Sequence, residues 1–396
     1  MGQGKGMQFK PVYIVSAART PVGSFRSALK SFSATKLGSI AIKGCLQKSG
    51  IDPKEIDEVF MGNVLSANLG QAPTKQAAEA AGLPESTICT TINKVCASGM
   101  KSITLAAQTI ALGQQGMIVA GGMESMSNVP FYLDARGGFV YGNQTIADGI
   151  LRDGLWDPKY QIHMGNCAEE TAEKYGITRE QQDAHAIESY KRAAKATSEG
   201  KFQAEIISIA HEIKNKEVVV SEDEEFKNIK YEKVPTLRSA FIKNGTVTAA
   251  NSSTLNDGAS SVILSSKDKM DSLNIKPIAK ILAFADAECN PKLFTIAPSL
   301  AIPKALKAAG LGIDDISLFE INEAFSVVVR ANEKILGLDP SKVNVNGGGV
   351  SLGHPIGSSG SRIVVSLIHA LKSGQKGCAA ICNGGGGATS IVIEKL

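Results

Sequence analysis

The chain has 396 residues, 43% of them hydrophobic and 20% charged, with a formal net charge of +4. That length exceeds what a single core serves, so two or three domains are expected. The mild charge and scattered Lys and Arg give no footprint for nucleic acid, and no apolar run reaches membrane-spanning length. Seven cysteines with no metal-type spacing imply free thiols in a reducing compartment. The opening MGQGKGMQFK fits neither a signal nor a transit peptide, and Gly6 stands where a myristoylation motif needs Ser or Thr. The final Glu394-Lys395-Leu396 falls short of the peroxisomal Ser-Lys-Leu.

Along the chain, short strands such as Val12–Ser16 and Met117–Ala120 alternate with longer helical stretches, the α/β pattern. Asn93 to Ser102 reads NKVCASGMKS and puts Cys96 just ahead of a helical pattern. Unpaired N–H groups and the positive dipole end would favour its thiolate. Small neighbours Ala97, Ser98 and Gly99 would let a ligand approach. The alternative is a buried small hydrophobe, the usual lot of a free cysteine. From Ser127 to Thr248 the character changes, with the only Trp, a charged helix-like run (Glu169–Lys195) and the acidic SEDEEFK. Its apolar and aromatic residues argue for an inserted third region rather than a linker. Asn322 in EINEAFS follows a strand-like run; it suits a water or oxygen ligand, or equally the N-cap of a helix Glu323–Lys334.

His354 sits between glycines in GHPIG, in a loop before a helix. Cys382 precedes Asn383 and four glycines, whose backbone is free to aim N–H groups at a ligand. A phosphate loop is disfavoured there, since no Lys-Ser/Thr and no helix pattern follow. The segment SGMKSITLAAQTIALGQQGMIVAGG from Ser98 aligns without a gap on SGSRIVVSLIHALKSGQKGCAAICN from Ser359. Ser98-Gly99 falls on Ser359-Gly360, Gly113-Gln114 on Gly374-Gln375, and Gly116 on Gly377. Each copy runs Ser-Gly, amphipathic helix, Gly turn, apolar strand, Gly-rich loop, so the chain reads as a duplication. Two halves about a pseudo-twofold axis would bring Cys96, His354 and Cys382 to one site.

CASG, NEAF, GHPIG and CNGGGG, in that order, resemble the thiolase family. VSAARTPVGSF (Val15–Phe25), GGMESMS and NDGA (Asn256–Ala259) extend the match over essentially the whole chain. HMGNCAE, TVTAANSSTLNDGA and AFADA are most similar to its mitochondrial, potassium-responsive short-chain branch, the acetoacetyl-CoA thiolases. The resemblance implies a duplicated, five-layered αβαβα fold. Residues 1–126 with 249–274 would form the N-terminal half, 127–248 an inserted coenzyme A-binding and tetramerisation domain, and 275–396 the C-terminal half.

It also implies reversible cleavage of acetoacetyl-CoA, and of 2-methylacetoacetyl-CoA, through an acetyl-cysteine, with no redox cofactor. Cys96 would be the nucleophile, His354 its base, and Cys382 the proton shuttle at the substrate α-carbon. Two oxyanions develop, so two donor sets are expected: His354 with a water held by Asn322, and the N–H groups of Cys96 and Gly384, which would require glycine so close behind Cys382. Coenzyme A would touch His163, Met164, Tyr190 and Ser253, with Asn228, Ile229, Lys230 and Lys233 toward the nucleotide. Lys230 departs from an acidic residue in related enzymes, and a solvated lysine face (Lys227, Lys230, Lys233) is the alternative. Phe294 would leave room for an α-methyl group; Thr295, where the branch has Pro, would loosen that slot. A potassium site would involve Tyr190, Ala249, Ala250, Ser252 and Val350. A homotetramer, assembled through GGFVYGNQTIADG, and a mitochondrial location with the transit peptide removed are implied, the cytoplasm being the alternative.

Other possibilities are a β-ketoacyl synthase, which would have His in place of Cys382, and a non-catalytic thiolase-like lipid carrier, which would have no need of the three reactive groups. A nucleotide-dependent oxidoreductase would need GxGxxG after a first strand, and none is present.

Overall fold

A computed structural model describes residues 10–213 and 216–396, so the features read in residues 1–9 lie outside the described residues. Among the described residues the main sheet has ten strands, nine on one path. They are β1 Val12–Arg19, β2 Glu58–Gly62, β3 Ile88–Ile92, β4 Met117–Ser125, β5 Asn256–Ser266, β6 Ala279–Glu288, β7 Leu318–Ile321, β8 Lys376–Asn383 and β9 Gly387–Lys395. Their order is β7-β8-β9-β6-β1-β5-β4-β2-β3, and the two-residue Gly23–Ser24 adds onto β5. Ten helices accompany them: α1 Ala34–Ser49, α2 Pro73–Ala80, α3 Ser98–Ala111, α4 Met164–Tyr175, α5 Arg179–Ser198, α6 Lys267–Leu273, α7 Pro298–Ala309, α8 Ser326–Leu336, α9 Gly349–Leu352 and α10 Ser359–Ala370.

The strand order carries the duplication. Outward from the junction, β1-β5-β4-β2 repeats as β6-β9-β8-β7. In each half the last pair is parallel and the others antiparallel. Within the sheet the halves pair at only three positions, Val12↔Ile281, Tyr13↔Lys280 and Ile14↔Ala279.

Period-two alternation assigns the layers. In β4, Met117 and Val119 pack toward α1 and α2, while Ile118 and Ala120 face a central core with α3 and α10. In β8, Ala379 and Ile381 join that same central core, and Cys378, Ala380 and Cys382 face α4, α7 and α8. The result is five layers, helix–sheet–helix–sheet–helix, as expected. At the centre, the aligned glycines Gly99 and Gly360 meet. A Cβ on Gly99 would lie 2.8 Å from Ser361 N, and one on Gly360 would lie 2.6 Å from Met100 N. Only glycine allows the two helix starts so close.

Three local expectations are corrected. β1 and β4 run on to Arg19 and Ser125 because pairing with β5 continues past their apolar runs. The charged run Glu169–Lys195 is two helices, since Gly176 caps α4 at φ +61° and Thr178 with Gln181 forms a capping box for α5. The helix expected at Glu323–Lys334 starts at Ser326, with Phe325 rather than Asn322 at its N-cap.

Residues 127–248 contain three small hairpins besides α4 and α5. They anchor to the N-terminal half where Arg19, fully buried, pairs with Glu205 (2.6 Å) and Asp223 (2.7 Å). Removing one partner of such a buried cluster leaves an uncompensated charge.

Candidate active site

The loop between β3 and α3 is wound tightly around Cys96. Asn93 Oδ1 accepts from Val95 N (3.0 Å), and Ser98 Oγ accepts from Lys94 N (2.8 Å) while donating to Val95 O (2.6 Å). These bonds hold Val95 at φ +47°. A β-branched residue rarely adopts that conformation, and holding it costs about 1–3 kcal/mol. Cys96 is then turned into a cavity with only 8% of its surface exposed. Burial pushes its thiol up to about 12, and the Gly384 N–H offsets this only in part. The thiolate expected of a helix N-terminus is therefore not the resting form. A helix dipole is worth about 2 kcal/mol at most, or roughly 1.5 pKa units, whereas burial moves a pKa by up to about 3–5 units.

His354 enters from the other half. Its N–H donates to Asn256 Oδ1 (2.9 Å), and its Nδ1 lies 2.5 Å from Ser359 Oγ, which also donates to Pro355 O (3.0 Å). Nε2 is buried with no hydrogen-bond partner among the described residues. Burial, then the Arg362 charge, pull the imidazole down to about 3, so it is neutral near pH 7. The loop is tethered across the halves by Glu124, whose carboxylate accepts from Gly357 N (3.0 Å), Val64 N (3.0 Å) and Asn63 Nδ2 (2.8 Å).

Cys382 is the penultimate residue of β8 rather than a residue beyond the strand. It is fully buried, and burial followed by the nearby Cys96 raises its thiol well above the usual value. The backbone turns at Gly385 (φ +89°) and Gly386 (φ +98°), and a Cβ on Gly386 would sit 2.2 Å from Cys289 O. Gly384 has no such need. A Cβ there would make ordinary contacts with Val95 Cγ1 (3.5 Å) and Met164 Sδ (3.6 Å), at the cavity wall. The requirement for glycine behind Cys382 thus rests on residues 385 and 386.

Asn322 is buried, and neither its Oδ1 nor its Nδ2 has a partner among the described residues. A buried amide left so is an invitation to a water or ligand oxygen. Next to it, Glu323 accepts from Ser189 Oγ (2.7 Å), Asn344 Nδ2 (2.9 Å) and Val350 N (3.1 Å), and lies 3.3 Å from His185 Nε2. These contacts outweigh burial and hold its carboxyl down to about 2.

The cavity is about 90 Å³ and is lined by Cys96, His354, Gly384, His163, Met164, Ser252, Ser253 and Phe294 of the expected residues. It is completed by Met126, Gly154, Leu155, Phe241, Thr254, Leu255, Ala324, Phe325 and Ile356. Phe241 stacks on His163 (ring centroids 4.7 Å) and meets Phe325 edge-on (6.1 Å). Met126, Thr254, Leu255, Ala324, Phe325 and Ile356 fall within GGMESMS, TVTAANSSTLNDGA, NEAF and GHPIG, whereas Gly154, Leu155 and Phe241 are lone residues of the insertion and carry no periodic signal. Asn322, Cys382, Tyr190, Asn228, Ile229, Lys230, Lys233, Ala249, Ala250 and Val350 do not line the cavity. Of these, Tyr190 and Val350 are buried together with Ile229 against them, while Asn228, Lys230 and Lys233 are exposed.

A duplicated five-layer α/β fold, with the cysteine loop of one half meeting the histidine loop of the other, is that of an acyltransferase. The chain belongs to the thiolase family: residues 12–268 match the thiolase N-terminal domain and residues 275–395 the thiolase C-terminal domain. It is 57% identical over 387 residues to the mitochondrial acetyl-CoA acetyltransferase of Bos taurus, covering 97% of this chain and 92% of the relative. The corresponding Homo sapiens protein is 56% identical over 389 residues, covering 98% and 91%. The acetyl-CoA acetyltransferase of Schizosaccharomyces pombe is 56% identical over 392 residues, covering 97% and 99%. Among solved structures, a thiolase of Ascaris suum in complex with coenzyme A superposes at a TM-score of 0.95, with 50% identity over 98% of this chain and all of that one.

Proposed function

We propose that the chain is an acetyl-CoA C-acetyltransferase that cleaves acetoacetyl-CoA with coenzyme A and condenses two acetyl-CoA in reverse. The observation that carries this is the convergence of Cys96, His354 and the Gly384 backbone on one small cavity.

In cleavage, His354 Nε2 takes the Cys96 proton as the sulfur attacks the 3-keto carbon. The carbon–carbon bond breaks, the acetyl group stays on Cys96 as a thioester, and the enolate of acetyl-CoA takes a proton from Cys382 at its α-carbon. Free coenzyme A then gives its thiol proton to the Cys382 thiolate and accepts the acetyl group, while the His354 imidazolium returns its proton to the departing Cys96 sulfur. One oxyanion is met by the N–H groups of Cys96 and Gly384, the other by His354 and a water on Asn322.

The pantetheine arm runs past His163, Met164 and Ser253, and the nucleotide toward the exposed Asn228–Lys230 and Lys233. For potassium, Ala250 is buried, and among the described residues the carbonyls of Ala249 and Ala250 accept no backbone hydrogen bond. Asn251 Nδ2 donates to Asp183 Oδ1 (2.9 Å) and so ties that turn to α5, which carries Tyr190. Carbonyl oxygens without a backbone partner are ligands a hard cation takes. The exposed Phe131, Val140, Tyr141 and Ile146 suit a tetramer contact, and the relatives named mitochondrial support that location.

The test is the rate of coenzyme A-dependent cleavage of acetoacetyl-CoA and 2-methylacetoacetyl-CoA, with and without potassium. Turnover of both substrates, faster with potassium, is expected. No turnover of acetoacetyl-CoA would overturn the assignment.

A further inference from the structure

The duplication places Ser98 and Ser359 at equivalent positions, the first residues of α3 and α10. Neither belongs to the chemistry above, yet each hydroxyl is buried in a short network beneath a reactive residue. Ser98 Oγ braces the strained turn that carries Cys96. Ser359 Oγ lies 2.5 Å from His354 Nδ1 and 3.0 Å from Pro355 O. We propose that Ser359 is a positioning residue that locks His354 in the Nδ1–H tautomer, leaving the lone pair on Nε2 toward Cys96.

A serine hydroxyl carries one hydrogen, so it can donate to Pro355 O or to Nδ1, not both. Donation to Pro355 O, the common back-bond of a serine in a first helical turn, leaves an oxygen lone pair to accept from Nδ1–H. Nε2 then takes a proton from a thiol and, once protonated, donates from the same atom to an oxyanion, while Nδ1 never changes. In the opposite arrangement Nε2 would carry the hydrogen in the resting enzyme. It would be an N–H donor, buried without a protein acceptor and unable to take a proton from Cys96. Because the ring is neutral near pH 7, its tautomer rather than its charge decides its competence. The same serine serves both halves, holding the nucleophile's backbone in one and the base's hydrogen in the other.

This inference rests on His354 acting as the base, so its test includes a measurement made without turnover. The imidazole ¹⁵N shifts of selectively labelled enzyme, with His354 assigned through a His354→Asn variant, should show Nδ1 protonated and Nε2 bare at pH 7.5. Ser359→Ala should move that signal toward the other tautomer. It should also lower kcat about 10–100-fold, the usual cost of losing an orienting partner, with KM within about twofold. Ser98→Ala should slow acetylation of Cys96 without altering the His354 signature. An Nε2–H tautomer in the wild type overturns the proposal even if Ser359→Ala fails to fold. So does a Ser359→Ala enzyme with the wild-type tautomer and kcat. Inactivity toward acetoacetyl-CoA with the Nδ1–H tautomer intact would instead count against the proposed function alone.

Discussion

Cys96 and His354 rest as a neutral thiol beside a neutral imidazole. The thiol is held up to about 12 and the ring down to about 3, so the proton has no reason to move until substrate arrives. Below a thiol's pKa the thiolate fraction rises tenfold per pH unit. Alkylation of free enzyme at Cys96 by iodoacetamide should therefore climb about tenfold per unit from pH 7 to 9 without a plateau. A plateau beginning below pH 7 would reveal a preformed thiolate–imidazolium pair and refute this picture. In the proposed cycle Cys382 works on a different proton. Cys382→Ser should slow α-proton exchange in acetyl-CoA much more than acetylation of Cys96, and equal slowing would make Cys382 structural. Phe294 lies at the cavity wall, and the proposed function gives it the choice between branched and unbranched substrates. The loosening expected from Thr295 does not appear, because its hydroxyl lies 2.5 Å from Thr171 Oγ1 and its carbonyl accepts from Asn332 Nδ2 (2.8 Å). One methyl group is worth about 1–3 kcal/mol in a pocket. The branched substrate should be cleaved within about tenfold of the unbranched one, and Phe294→Met should widen that gap. An unchanged kcat/KM ratio would remove Phe294 from specificity.

At the scale of elements, the Gly-rich turn after β8 separates two kinds of glycine. Gly386→Ala needs a left-handed alanine whose Cβ runs into the Cys289 carbonyl. The conformation alone costs about 1–2 kcal/mol, so a lowered Tm is expected together with lost activity. Gly384→Ala meets only ordinary contacts and should keep its Tm while losing turnover, since its methyl group enters the cavity beside Val95. Equal thermal loss in both variants would contradict this division. Much of this level was legible in the sequence, for a physical reason. Ser-Gly followed by an amphipathic helix and an apolar strand is a local pattern, and it recurs in register as α3–β4 and α10–β8. What stayed hidden was non-local. The boundary between α4 and α5 depends on one glycine inside a helix-like charge pattern. The role of Asn322 depends on where α8 begins, which backbone packing fixes and a capping preference does not. The reversal at Cys96 came from burial, which a sequence window does not report.

For the whole molecule, the duplication creates the site: one half supplies the Cys96 turn, the other His354 and Cys382, and Glu124 links the two by accepting at once from the Asn63 side chain, the Val64 N–H and the Gly357 N–H. The motifs made the halves visible in the sequence. The small cavity between them, and the aromatic contacts of Phe241 that shape it, required the folded chain. The central claim is that this junction transfers an acetyl group through Cys96. The most direct measurement is peptide mass spectrometry of enzyme incubated with acetyl-CoA and quenched in acid. It should find an acetyl group on Cys96 in the wild type and none in a folded Cys96→Ser variant. An acetyl group on Cys382 instead, or an unmodified Cys96 in enzyme that turns over acetoacetyl-CoA, would contradict the account.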